Sequence, residues 1–170
     1  MSFAFTTLGL ICILSASIIK GKNMKLILFL LFVANAAVAT GYLFTENGIN
    51  GAVTCYIGAA QTIINYFFEC KNKPIPKWLV AIYAIAFVSV NLAFAGFTVP
   101  CTIAIVASLM YVMSIGQKNG AKFRIWTLGN VILWGIYDIV TPAFAGLITH
   151  IPQLIFTIAG MIIHDIKNEK

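Results

Sequence analysis

Two asparagines set the chemical character of this chain: Asn35 and Asn130, each followed seven residues later by a tyrosine, Tyr42 and Tyr137. Seven residues are two helical turns, so amide and phenol share nearly one helix face. Around the second asparagine the stripe is fuller, with Thr127, Asn130, Trp134 and Tyr137 at spacings of three, four and three. Two more polar stripes follow at helical spacing: Thr54, Gly58, Gln61, Asn65 and Glu69, then Thr149, Gln153, Thr157, Gly160 and His164. Uncharged amides, hydroxyls and aromatic rings are groups that hydrogen-bond to, and stack on, a small neutral or zwitterionic solute. They are not a catalytic set. Asp138 and His150 could approach each other, but a lone Asp/His pair is usually structural, and no HExxH, GxSxG or P-loop occurs. Cys12, Cys55, Cys70 and Cys101 form no CxxC or Cys/His cluster, so they read as small apolar residues and no metal or cofactor is expected. Only Cys55 and Cys101 fall on a shared side that would permit a disulfide.

The elements that position these residues are apolar and repeated. At a gap-free offset of ninety-five residues, Asn35, Tyr42, Gly51 and Thr54 pair with Asn130, Tyr137, Gly146 and Thr149. The same offset pairs Thr7 with Thr102, Leu14 with Leu109, Gly21 with Gly116, Thr62 with Thr157 and Ile63 with Ile158. Most of these matches are polar residues or glycines, which weigh more than coincidences among aliphatic residues. The chain is 61% hydrophobic and 9% charged, far from soluble averages of roughly 45–50% and 25%. Seven apolar segments run at about 2–19, 25–44, 49–69, 78–97, 99–115, 123–141 and 145–164. Each is near the roughly 20 residues that a helix needs to cross the hydrocarbon layer. The expected fold is therefore an all-α integral membrane protein with seven transmembrane helices.

The offset leaves the fourth segment without a counterpart, which divides the chain into 1–69, a linker with one helix at 70–98, and 99–170. One odd crossing restores the orientation of the second unit. The plan expected is two parallel three-helix repeats joined by a single helix, 3+1+3.

All eleven basic residues follow odd-numbered segments. Lys20, Lys22 and Lys25 come after the first, Lys71, Lys73 and Lys77 after the third, Lys118, Lys122 and Arg124 after the fifth, and Lys167 and Lys170 after the seventh. Alternate crossing puts them on one side, which the positive-inside rule makes cytoplasmic, with the N-terminus outside and the C-terminus inside. The net charge of +6 is thus a topology signal, and nucleic acid is not an expected partner. The 24–39 stretch imitates a secretory signal ending in Ala37-Val38-Ala39, but its match to the sixth segment reads as an uncleaved second helix.

Asn35 falls about ten residues, or 15 Å, into its helix, near the membrane midplane. A buried amide in hydrocarbon is costly unless bonded, so both asparagines should face the protein interior. The simplest arrangement turns the stripes of the second, third, sixth and seventh helices toward one path, with the first and fifth mainly packing. Asn35 and Asn130 then serve as central amide ligands and Trp134 as a stacking or gating ring. Tyr42 and Tyr137 sit toward the outer mouth, and Thr54, Gln61, Thr149, Gln153 and Thr157 line the path. The bland alternative for the asparagines is hydrogen bonding between helices. Pro152 frees a backbone carbonyl one turn earlier in the seventh helix.

Seven segments in a 3+1+3 plan, the Leu8-Gly9-Leu10 start, the 42–51 turn and Asn130…Trp134…Tyr137 resemble the bacterial inner-membrane YgjV family. More distantly the plan is similar to the SWEET, PQ-loop and PnuC vitamin-transporter group. The resemblance implies a small-solute carrier of the bacterial inner membrane with a site between two three-helix bundles. The paired binding asparagines of SWEETs lie on the third helix of each bundle, where this chain has Asn65 opposite Gly160. Their mid-membrane prolines have no match here, since Pro100 and Pro142 sit near segment ends, and the Pro152-Gln153 pair lies in the third helix of its repeat rather than the first. The expected partners are the lipid bilayer and a small solute, and the sequence leaves open whether copies of the chain associate as a homo-oligomer. The reading from another class is a non-transporting membrane scaffold or partner subunit; an enzyme is not expected.

Overall fold

A computed structural model describes residues 2–44, 49–141 and 144–166. Among them the chain forms seven α-helices: α1 Ser2–Ile18, α2 Met24–Tyr42, α3 Ile49–Cys70, α4 Lys77–Ala95, α5 Val99–Ile115, α6 Gly120–Val140 and α7 Phe144–Met161. A 3-10 turn, Gly21–Asn23, joins α1 to α2, and α7 runs on into a π-helical turn, Ile162–Ile166. Part of the 42–51 turn, Pro142, Lys167 and Lys170 lie outside the described residues.

Local chemistry sets several of the boundaries. Thr98 caps α5 by accepting from the Cys101 amide, with Pro100 in the first turn where its missing N–H costs nothing. Asn119 caps α6 by accepting from Ala121 and Lys122. Gly96, at a φ of 61°, ends α4 in a conformation that a side chain would strain.

The helices pack α1 on α2 and α2 on α3, then α5 on α6 and α6 on α7. The helix α4 touches both α3 and α5, while α1 meets α7. Small residues let these helices approach closely: Ala16, Ala34, Ala39, Ala52 and Ala107 are all buried. Polar side chains are buried beside them, including Gln61, Thr62, Asn65, Asn130 and Thr157. Large apolar side chains such as Phe3, Phe67, Trp78, Ile85, Ile139 and Ile148 point outward. Polar groups buried among an apolar core that includes Ile27, Phe87, Ile115 and Phe123, with many large hydrophobic groups outside, suit a lipid surround.

Three of the described helices are long and apolar enough to cross a membrane, over Gly21–Tyr42, Lys77–Ala95 and Leu147–Asp165. The others depart from that standard for two physical reasons. The helices α1 and α5 are each 17 residues long, at the short limit of the usual span. At 22 and 21 residues α3 and α6 are long enough, but their buried amides and charges lower the mean hydropathy.

Candidate functional site

The polar stripe of α3 is its buried face: Gly58, Gln61, Thr62 and Asn65 all point inward, whereas Thr54 and Glu69 at its ends are half-buried. Against this face come α2 and α5. Asn35 donates from Nδ2 to the Leu31 carbonyl at 2.7 Å and to the Tyr111 hydroxyl at 2.6 Å. The Tyr111 hydroxyl is 3.1 Å from the Thr62 hydroxyl, which itself donates to the Gly58 carbonyl. A hydroxyl has one proton, so the chain has a direction: Asn35 to Tyr111, Tyr111 to Thr62, Thr62 to Gly58. Gly58 permits the assembly, because a Cβ there would stand 3.0 Å from Asn35 Oδ1 and 3.6 Å from the Tyr111 ring.

One turn further along α3, Asn65 donates to the Ile115 carbonyl at 3.1 Å and accepts from the Tyr83 hydroxyl at 3.4 Å. The amide therefore ties α3 to both α5 and α4. Gln61 lies on the same face, four residues before Asn65. It is 1% exposed, and among the described residues neither Nε2 nor Oε1 has a hydrogen-bond partner. Each such buried group costs about 1–3 kcal/mol relative to a bonded one, so the Gln61 amide is a costly feature of this face.

The second asparagine is placed differently from its repeat partner. Asn130 donates to the Ala107 carbonyl at 2.8 Å, so it joins α6 to α5. Four residues later Trp134 meets Tyr137 edge-on at 5.2 Å between ring centroids and stacks on His150 at 6.1 Å. His150 Nδ1 in turn is 2.6 Å from Asp138 Oδ2, so α6 and α7 bring the Asp/His pair together. Tyr42 sits within electrostatic range of Cys55, Asp138 and Tyr137, which places the two repeat-related tyrosines at one end of the molecule. Thr157 reaches across to the Ser17 hydroxyl at 3.5 Å, while Thr149 and Gln153 are half-buried on α7. All four cysteines are free thiols.

At the opposite end Arg124, one of the basic residues after the fifth segment, is not a surface charge. The helix α6 begins at Gly120, which carries Arg124 into the interior, where it is 1% exposed. It binds Asp165 through two parallel hydrogen bonds, at 2.8 and 2.7 Å, and donates to the Ile19 carbonyl at 3.0 Å. His164 Nε2 bonds the neighbouring Ile18 carbonyl at 2.7 Å. The carbonyls left over at the end of α1 are thereby satisfied by α6 and α7.

The structure thus gathers Asn35, Gln61 and Asn65 around α3, and Trp134 and Tyr137 near Asp138 and His150. It adds Tyr111, Thr62 and Tyr83 to the first group. Tyr111 was legible in principle: Ala104, Ala107, Ser108 and Ser114 make α5 a close-packing helix, and a tyrosine among them is the group with the reach to bridge neighbours. No family model, curated protein or solved structure matches this chain.

Proposed function

We propose that this chain crosses a bacterial inner membrane seven times, as two parallel three-helix groups joined by α4. In this reading it carries a small neutral or zwitterionic solute by rocking of the two groups about a site beside Gln61. The observation that supports it is the Gln61 amide, buried with both polar atoms unpartnered among the described residues, on the face of α3 from which Thr62 and Asn65 bond α5. A neutral donor and acceptor side by side complement a hydroxyl or amide of a solute. The Asn35–Tyr111–Thr62 chain beside it crosses between the two groups, so a solute there would feel both. The resemblance to the YgjV family accords with this reading. The test is thermal unfolding of the purified protein against sugars, amino acids, vitamins and nucleosides, for native protein and Gln61→Leu. A ligand at a hundredfold excess over Kd adds about 2.7 kcal/mol to stability. One compound should stabilise the native protein and leave Gln61→Leu unmoved.

The bonds of Asn35, Asn65 and Asn130 between helices favour a second reading, a membrane scaffold whose polar stripes hold helices together. In that case no compound shifts either protein.

A further inference from the structure

Between the start of α2 and the start of α6 the surface opens into a cleft of about 410 Å³, lined in part by Lys20, Lys22, Lys118, Asn119, Arg124 and Asp165. Its charge is one-sided. The Asp165 carboxylate is already held by Arg124, and among the described residues Lys20, Lys22 and Lys118 have no ion-pair partner. The backbone sets all three lysines on the border of this one cleft. Gly21 and Gly120 touch so closely that a Cβ on either would run into the other's Cα. That contact clamps the Lys20-Gly21-Lys22 turn against the Lys118-Asn119-Gly120 turn. The contact sets the three lysines around one cleft, where an anion would relieve their mutual repulsion. The first amides of α6 at Ala121 and Lys122 are taken by the Asn119 side chain, so the attraction comes from the lysines.

We propose that this cleft is a binding site for a phosphate group, recognised by Lys20, Lys22 and Lys118 across the contact between the two turns. The site is independent of the solute reading. Its volume lies in the lower part of the roughly 300–1,000 Å³ typical of ligand pockets, and leaves room for a phosphodiester with its glycerol as well as for the free ion. It opens at the basic end of the molecule, the end that the positive-inside rule sets against the anionic leaflet.

The test is thermal unfolding of the full-length protein in detergent, titrated at matched ionic strength with short-chain phosphatidylglycerol, short-chain phosphatidylcholine or inorganic phosphate. Phosphatidylglycerol or inorganic phosphate should stabilise the native protein where phosphatidylcholine and chloride do not; stabilisation by phosphatidylglycerol alone assigns a lipid headgroup, and by inorganic phosphate also assigns the free ion. A lysine near an anionic surface contributes about a fivefold change in binding. The pair Lys22→Gln and Lys118→Gln should therefore raise the half-saturating concentration about 25-fold, and Lys118→Arg should retain binding. The control pair Lys73→Gln and Lys77→Gln removes the same charge elsewhere and should change it less than about twofold. Absence of stabilisation by both phosphate sources, or equal weakening in the two pairs, overturns the site.

Discussion

Tyr111 joins α5 to α2 and α3 through one hydroxyl, accepting from Asn35 and donating to Thr62. Tyr111→Phe leaves both partners short of a hydrogen bond in an apolar interior and should lower stability by about 1–3 kcal/mol. In a double-mutant cycle with Asn35→Ala, the measured loss should be less than the sum of the single losses. Gln61→Leu is expected to act in the opposite sense. It replaces an unpartnered amide with an apolar group of similar size, and equilibrium unfolding should show a gain of about 1–3 kcal/mol. The amide stripes were legible as helical spacing, and the burial of Gln61, Asn65 and Asn130 follows from it. Their partners were not, because a spacing rule places a residue on a face without saying which helix lies opposite. Asn35 and Asn130 occupy equivalent repeat positions, yet one bonds a tyrosine hydroxyl and the other a backbone carbonyl.

At the scale of elements, close approach is carried by glycines. A Cβ on Gly160 would strike the Ser17 carbonyl of α1, whereas one on Gly135 meets nothing within 4 Å. Gly160→Ala should therefore push α7 from α1 and lower stability by about 1–3 kcal/mol. Gly135→Ala should raise stability by up to about 1 kcal/mol through helix propensity, which makes the pair a matched control in the same unfolding experiment. The seven helices lie within a few residues of the apolar segments read from the sequence, since hydropathy and length decide where such helices start and stop. The inner ends were less legible. Arg124 grouped with Lys118 and Lys122 as a basic residue after the fifth segment, but Asn119 starts α6 early enough to turn it inward toward Asp165. Asp165→Asn would leave a buried guanidinium without its counter-charge and should cost about 3–5 kcal/mol. A paired Arg124→Met and Asp165→Leu change should recover much of that loss.

For the molecule as a whole, the contacts between Gly21 and Gly120, Arg124 and Ile19, and His164 and Ile18 place the end of α1, the starts of α2 and α6 and the end of α7 at one end. On the proposed topology, single-cysteine variants at Lys22 and Lys118, in a background without the native cysteines, should react with an impermeant thiol reagent from the cytoplasmic side, and one at Phe97 from the opposite side. The most direct test of the carrier reading is solute uptake into proteoliposomes containing native protein or Gln61→Leu, using the compound that stabilises the native chain. The account predicts saturable uptake by the native protein and background uptake by a Gln61→Leu variant that is folded and at least as stable. Uptake by Gln61→Leu at the native rate, or no uptake by the native protein, would contradict it.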